Sequence, residues 1–167
     1  MRIRQRLRRE DGAAAVEFAL IVGVLVMLIF GMLEFGLTFF ELQNLRASAR
    51  EGARIGAVGA TPTAIQNRTA DASNGAFTQA EAGSTPNFVV VQFSSTGANP
   101  WTAKTGSTSP ACSGGVGSQT DAAVRVQIAI ASAPTHLKDL FTVNIPLLPA
   151  ITMQPLVDAQ FRCEGVS

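Results

Sequence analysis

At 167 residues the chain has room for one small folded unit and one membrane helix, not for two enzyme-sized domains. Its formal charge of +1 hides an asymmetry: the first twelve residues carry a local +3, from Arg2, Arg4, Arg6, Arg8 and Arg9 against Glu10 and Asp11, leaving −2 for the rest. Those arginines abut an apolar run, and no basic or aromatic platform follows, which argues against nucleic acid as a partner and for an anionic membrane surface.

The apolar run continues to about residue 40, and residues 18 to 33 carry no charge. Residues 13 to 31 alone come close to the roughly 20 needed to span a bilayer. Five arginines before the run, with sparser positive charge after it, orient its N-terminus to the cytoplasm and the bulk of the chain outside. A removable secretory signal has a small-x-small cleavage site on its far side; here the far side reads GMLEFGLTFFELQ, so a retained anchor is expected.

One carboxylate, Glu17, lies inside the run. A charged side chain deep in a membrane segment costs roughly 2.5 to 3.5 kcal/mol on insertion scales, so Glu17 calls for a partner. A cut after Gly12 would supply an α-amino group at Ala13, making Glu17 the fifth residue and Phe18 the sixth, one turn from the positive end of the helix dipole. Ala15, Ala19, Gly23, Met27 and Gly31 recur every four residues, a stripe that lets helices approach closely, although Ala and Gly are frequent throughout the chain. Glu34 is expected to reach interfacial water.

Residues 13 to about 57 contain no proline and keep good helix formers beyond the run, so a single helix roughly 65 Å long is expected, its second half projecting outward. In that half Leu42, Leu45, Ala49 and Ala53 form an apolar stripe fit to support a β-domain, while Arg46, Arg50 and Arg54 form another. Residues 64 to 82 suit one short helix between breakers. Residues 88 to 93 (FVVVQF) read as a buried strand, and in residues 121 to 131 Val124, Val126, Ile128 and Ile130 alternate inward against Arg125, Gln127 and Ala129. Residues 141 to 145 and 151 to 154 are further strand candidates, the second extending towards Arg162. Residues 94 to 119 form a long Gly/Ser/Thr-rich connection.

Cys112 and Cys163 both fall on the outer side of this topology, where disulfides persist. One intramolecular bridge is expected; two free thiols or an intermolecular bond are the alternatives. A zinc site is disfavoured because the one histidine, His136, has no companion in sequence and reads as an exposed turn residue, so neither metal nor cofactor is expected. No GxSxG, HExxH, CxxC or GxxxxGK[ST] occurs, and the GxG at Gly115 to Gly117 meets Thr120 where a third glycine would stand.

The segment GAAAVEF, from Gly12 to Phe18, resembles a prepilin processing site, and the resemblance narrows to the TadE-like family. GAAAVEFAL, the Glu34–Phe35 pair and AREGAR at residues 49 to 54 carry it, over roughly residues 12 to 57; members often have a proline where Gly23 stands here. The resemblance implies a minor pseudopilin of the Tad (tight-adherence) system that builds Flp pili on bacteria. It implies cutting between Gly12 and Ala13 by a prepilin peptidase, Glu17 as assembly carboxylate, and other Tad components and pseudopilins as partners. The expected architecture is α+β: a basic cytoplasmic leader over residues 1–12, a membrane and stem helix over 13–57, and a small antiparallel extracytoplasmic β-domain over 58–167, on a single-pass protein of the bacterial cytoplasmic membrane. A signal-anchored adhesion or ligand-binding module is the rival reading, and a surface hydrolase a remote third.

Overall fold

The computed structural model describes residues 3–112, 121–145 and 148–164. Residues 113–119 of the long connection, with the GxG at Gly115 to Gly117, lie outside them, as does Arg2. Helix α1 (Ile3–Ala57) has 55 residues and is therefore about 80 Å long. It begins ten residues before Ala13, because the Arg, Gln, Leu and Glu of the basic head are good helix formers and no breaker separates them from the apolar run.

Two regimes divide α1. Most large side chains of the apolar run are exposed, Phe18 at 69%. From Thr38 onward one face turns inward, and Leu45, Ala49 and Ala53 are fully buried while Arg46, Arg50 and Arg54 stay in solvent. The apolar stripe of the projecting half is thus the floor of the head.

After α1 come α2 (Pro62–Asp71) and α3 (Gln79–Ser84), where the sequence suggested a single helix over residues 64 to 82. Asn74 and Gly75 both take positive φ, which ends the first helix, and a capping box at Thr78 and Glu81 starts the second. Gln66, buried on α2, donates from Nε2 to the carbonyls of Ala82 (3.1 Å) and Val89 (2.9 Å), tying α2 to the end of α3 and the first strand.

Strands β1 (Val89–Ser94), β2 (Thr102–Ala103) and β3 (Ala123–Ala129) follow, then a turn of 3₁₀-helix, α4 (Thr135–Leu140), β4 (Thr142–Val143), β5 (Ile151–Thr152) and β6 (Leu156–Arg162). One antiparallel sheet runs in the order β2-β1-β3-β6, with Val126 of β3 opposite Val91 on one side and Ala159 on the other. Val124, Val126, Ile128 and Ile130 are fully buried, as the alternation required, and Arg125 on the opposite face bonds Gln92 and stacks on Trp101 at 4.3 Å. The candidate strand from residue 151 divides at Pro155, which cannot donate to a ladder: β5 pairs with β4, and β6 joins the main sheet.

Gly52 and Gly56 set how closely the layers approach. A Cβ on Gly52 would collide with Thr69 Oγ1 of α2 and lie 3.4 Å from Ile65 O; one on Gly56 would lie 2.9 Å from Ile65 Cδ1 and 3.1 Å from both Val124 methyls. Cys112 and Cys163 are bonded to each other, with Cα atoms 5.7 Å apart and a sequence separation of 51. That closure is worth roughly 4 kcal/mol in the chain-entropy account.

Three outcomes follow for the detergent-solubilised protein. Gly52→Ala lowers stability by about 1 to 3 kcal/mol despite alanine's better helix propensity, because Thr69 is buried and bonded to Ile65 O at 2.8 Å. Urea midpoints check this, and adding Thr69→Ala recovers part of the loss. The Cys112→Ser/Cys163→Ser double variant loses up to about 4 kcal/mol by the same assay. The third concerns Glu81, which accepts from the Thr78 backbone N–H and hydroxyl; those bonds hold its carboxyl below the usual glutamate range. A depressed folded value stabilises above the unfolded value of about 4.3 and stops doing so as pH falls through the folded one. Glu81→Gln therefore flattens the acid limb of a stability-against-pH curve.

Candidate assembly and anchoring site

Gly12, Ala13, Glu17 and Phe18 all lie on α1, in regular helix, with exposed side chains from residue 12 onward. Glu17 follows Ala13 by four residues, about 6 Å along the axis and on the same face. Among the described residues no hydrogen bond or ion pair reaches its carboxylate, and neighbouring Val16, Phe18, Leu20 and Ile21 are bare apolar surface. Chemically this is a lone hydrogen-bond acceptor and negative charge on an apolar rod, suited to a cationic donor from outside the described chain.

The small-residue stripe divides. Ala15, Ala19 and Gly23 are exposed, and nothing lies within 4 Å of a Cβ placed on Gly23. Gly31 instead faces the head, with Ile145 Cδ1 3.9 Å from where its Cβ would stand. Higher on α1, Phe35, Gly36, Thr38, Phe39 and Leu42 form one wall of an apolar groove of about 740 Å³, closed on the other side by Phe141, Met153, Gln154 and Pro155. Sequence reading did not find this groove, since its walls are brought together by the split at Pro155.

Gly52 and Gly56 were also missed as packing residues. Their signal was the run of small residues at 49, 52, 53, 56 and 57, three to four apart on one helical face. Among the described residues no three His, Cys, Asp or Glu side chains gather to hold a metal ion. His136 stands on α4 rather than in a turn, exposed, with Nδ1 3.6 Å from the Glu81 carboxylate.

Among the described residues, α1 is long and apolar enough from Gly12 to Ala57 to cross a membrane, and none of its most apolar window is buried in protein. No curated protein and no solved structure matches the chain. The family model described as TadE-like protein matches residues 12–54, starting at the glycine before Ala13 and ending in the packed stem. Over that segment, which holds most of the long apolar helix and its packed upper half, the chain is similar to TadE-like proteins.

Proposed function

We propose that this protein is a minor pseudopilin of a Tad-type pilus, made as a membrane-anchored precursor and cut between Gly12 and Ala13 by a prepilin peptidase. The TadE-like match itself implies a part in Tad pilus-related systems. The observation that carries the finer reading is Glu17: an exposed carboxylate without a partner among the described residues, four positions after Ala13 in an otherwise uncharged apolar segment.

Before assembly, α1 stores the protein in the bacterial cytoplasmic membrane, with the arginine head on the cytoplasmic side and the β-domain outside. Cleavage removes the leader and its five arginines, and leaves an α-amino group at Ala13. When the helix is drawn into an assembly, Glu17 accepts from the terminal amine of a neighbouring pseudopilin, offsetting the cost of holding a carboxylate in an apolar surround. The bare face at Ala15, Ala19 and Gly23 gives a neighbouring helix room to approach. In this reading the protein is an enzyme's substrate and a structural subunit, not an enzyme, and tight adherence follows from the pilus it helps to build.

Intact mass and N-terminal sequencing of protein extracted from host membranes test the first step. The expected product starts at Ala13; Gly12→Ile leaves it at full length, and Glu17→Ala is folded but fails to support pilus assembly. A wild-type chain that retains its arginine head, with pili unaffected by Glu17→Ala, would establish the rival adhesion or ligand-binding anchor instead.

A further inference from the structure

From residue 140 to residue 157 the sequence carries no charged side chain, although Lys138, Asp139 and Asp158 bracket the stretch. In a head domain this length of uncharged chain is ordinarily core, and part of it is, since Phe141 and Val143 are buried. Val157 is buried as well, but other described residues of the stretch are not. Leu148 is 50% exposed, Ile151 48% and Leu156 60%. Leu148 and Ile151 belong to the β4–β5 hairpin, whose sequence carries no charge, whereas Leu156 opens β6 on a face it shares with Asp158.

The position of the hairpin along α1 indicates what it faces. Thr38 Oγ1 donates to Leu140 O at 3.4 Å, and Ile145 Cδ1 lies 3.9 Å from a Cβ built on Gly31. Thr38 and Gly31 are two turns apart, about 10 Å along the axis, so the chain descends from the stem onto the apolar segment. A hydrocarbon core of about 30 Å takes roughly 20 helical residues, and counted from Ala13 its outer boundary falls near Gly31 and Leu33. The groove above the hairpin opens onto Phe35 and Phe39, which are themselves exposed and continue the lipid-facing surface of α1.

We propose that the β4–β5 hairpin is a second lipid contact, with Leu148 and Ile151 seated in the outer interfacial layer of the bilayer beside α1. This rests on α1 spanning the membrane. Apolar side chains level with the hydrocarbon boundary gain by leaving water, and the lack of charge removes the cost of placing the hairpin there. The head is then held at two points, the helix and the hairpin, and cannot pivot freely on its stem.

The test uses the full-length protein in phosphatidylcholine/phosphatidylglycerol vesicles, with a thiol-reactive environment-sensitive fluorophore at Leu148→Cys or, separately, Ile151→Cys. Cys112 and Cys163 are bonded to each other, so the introduced thiol is labelled alone. Val26→Cys reports on α1 and Thr108→Cys on solvent. The expected result is blue-shifted emission at 148 and 151, lost to nitroxides carried high on the lipid chains, while emission from 108 persists. Quenching at 26 with 148 and 151 behaving like 108 would overturn the hairpin contact and leave the anchor standing. No quenching at 26 would overturn the anchor and the hairpin contact together. Probes at 148 that are shielded yet insensitive to lipid nitroxides, with disulfide cross-linking between copies through Leu148→Cys, would replace lipid by a second copy of this chain.

Discussion

The head is held on its stem by the near absence of side chain where α1 meets α2 and β3. At Gly52 the helix backbone lies against Thr69 and Ile65, and at Gly56 against Ile65 and Val124, so neither position leaves room for a methyl group. Ala49, Ala53 and Ala57 keep the rest of that face low, and the sheet settles directly on it. Main-chain bonds beyond the helix depend on this closeness. Ala57 O accepts from Glu164 N–H at 2.9 Å and Ala60 O from Ala111 N–H at 3.2 Å, which brings the segments carrying Cys112 and Cys163 to the same end of the stem. The disulfide then locks an arrangement that packing has already produced.

The same helix meets a second environment below Thr38. From Phe18 to Leu37 most of its leucines, isoleucines and phenylalanines are bare, and at about 25 cal/mol per Å² of apolar surface that exposure would be ruinous in water. A bilayer reverses the sign of the term. One element is therefore suited to two solvents by switching side-chain size along its length: bulky over the bare segment fit for lipid, small where protein packs against it. Glu17 stands out because it obeys neither rule, and its chemistry supports a role in recognition rather than in folding.

How far the fold could be read depended on how local the cause was. α1 was legible because nothing breaks it, and β3 because Val124, Val126, Ile128 and Ile130 keep a strict alternation that only a half-buried strand explains. The separation of α2 from α3 rests on Asn74 accepting a left-handed backbone, a choice the sequence permits but does not announce. β2 has two residues and no periodicity; it exists because Gln92 and Phe93 offer it a main-chain edge. The division at Pro155 turned one expected strand into two that belong to different sheets, and the groove below it was invisible for that reason. At the N-terminus the situation is reversed: Gly12, Ala13, Glu17 and Phe18 stood out as a motif, yet their coordinates are ordinary helix. A peptidase would read this bond within its own site, so regular helix at Gly12 and Ala13 neither favours nor opposes a cut there.

Because α1 runs without a break from Ile3 to Ala57, the anchor and the head share one helical phase. Each residue advances that phase by about 100° and 1.5 Å. The number of residues between Glu17 and Gly52 thus fixes the compass direction in which the sheet faces relative to Glu17. Insertion or deletion of a single residue near Gly36 would leave anchor and head each intact and turn one against the other by more than a quarter of a circle. The stem works as an indexing shaft, carrying angular register from the apolar segment to the head with no joint in between.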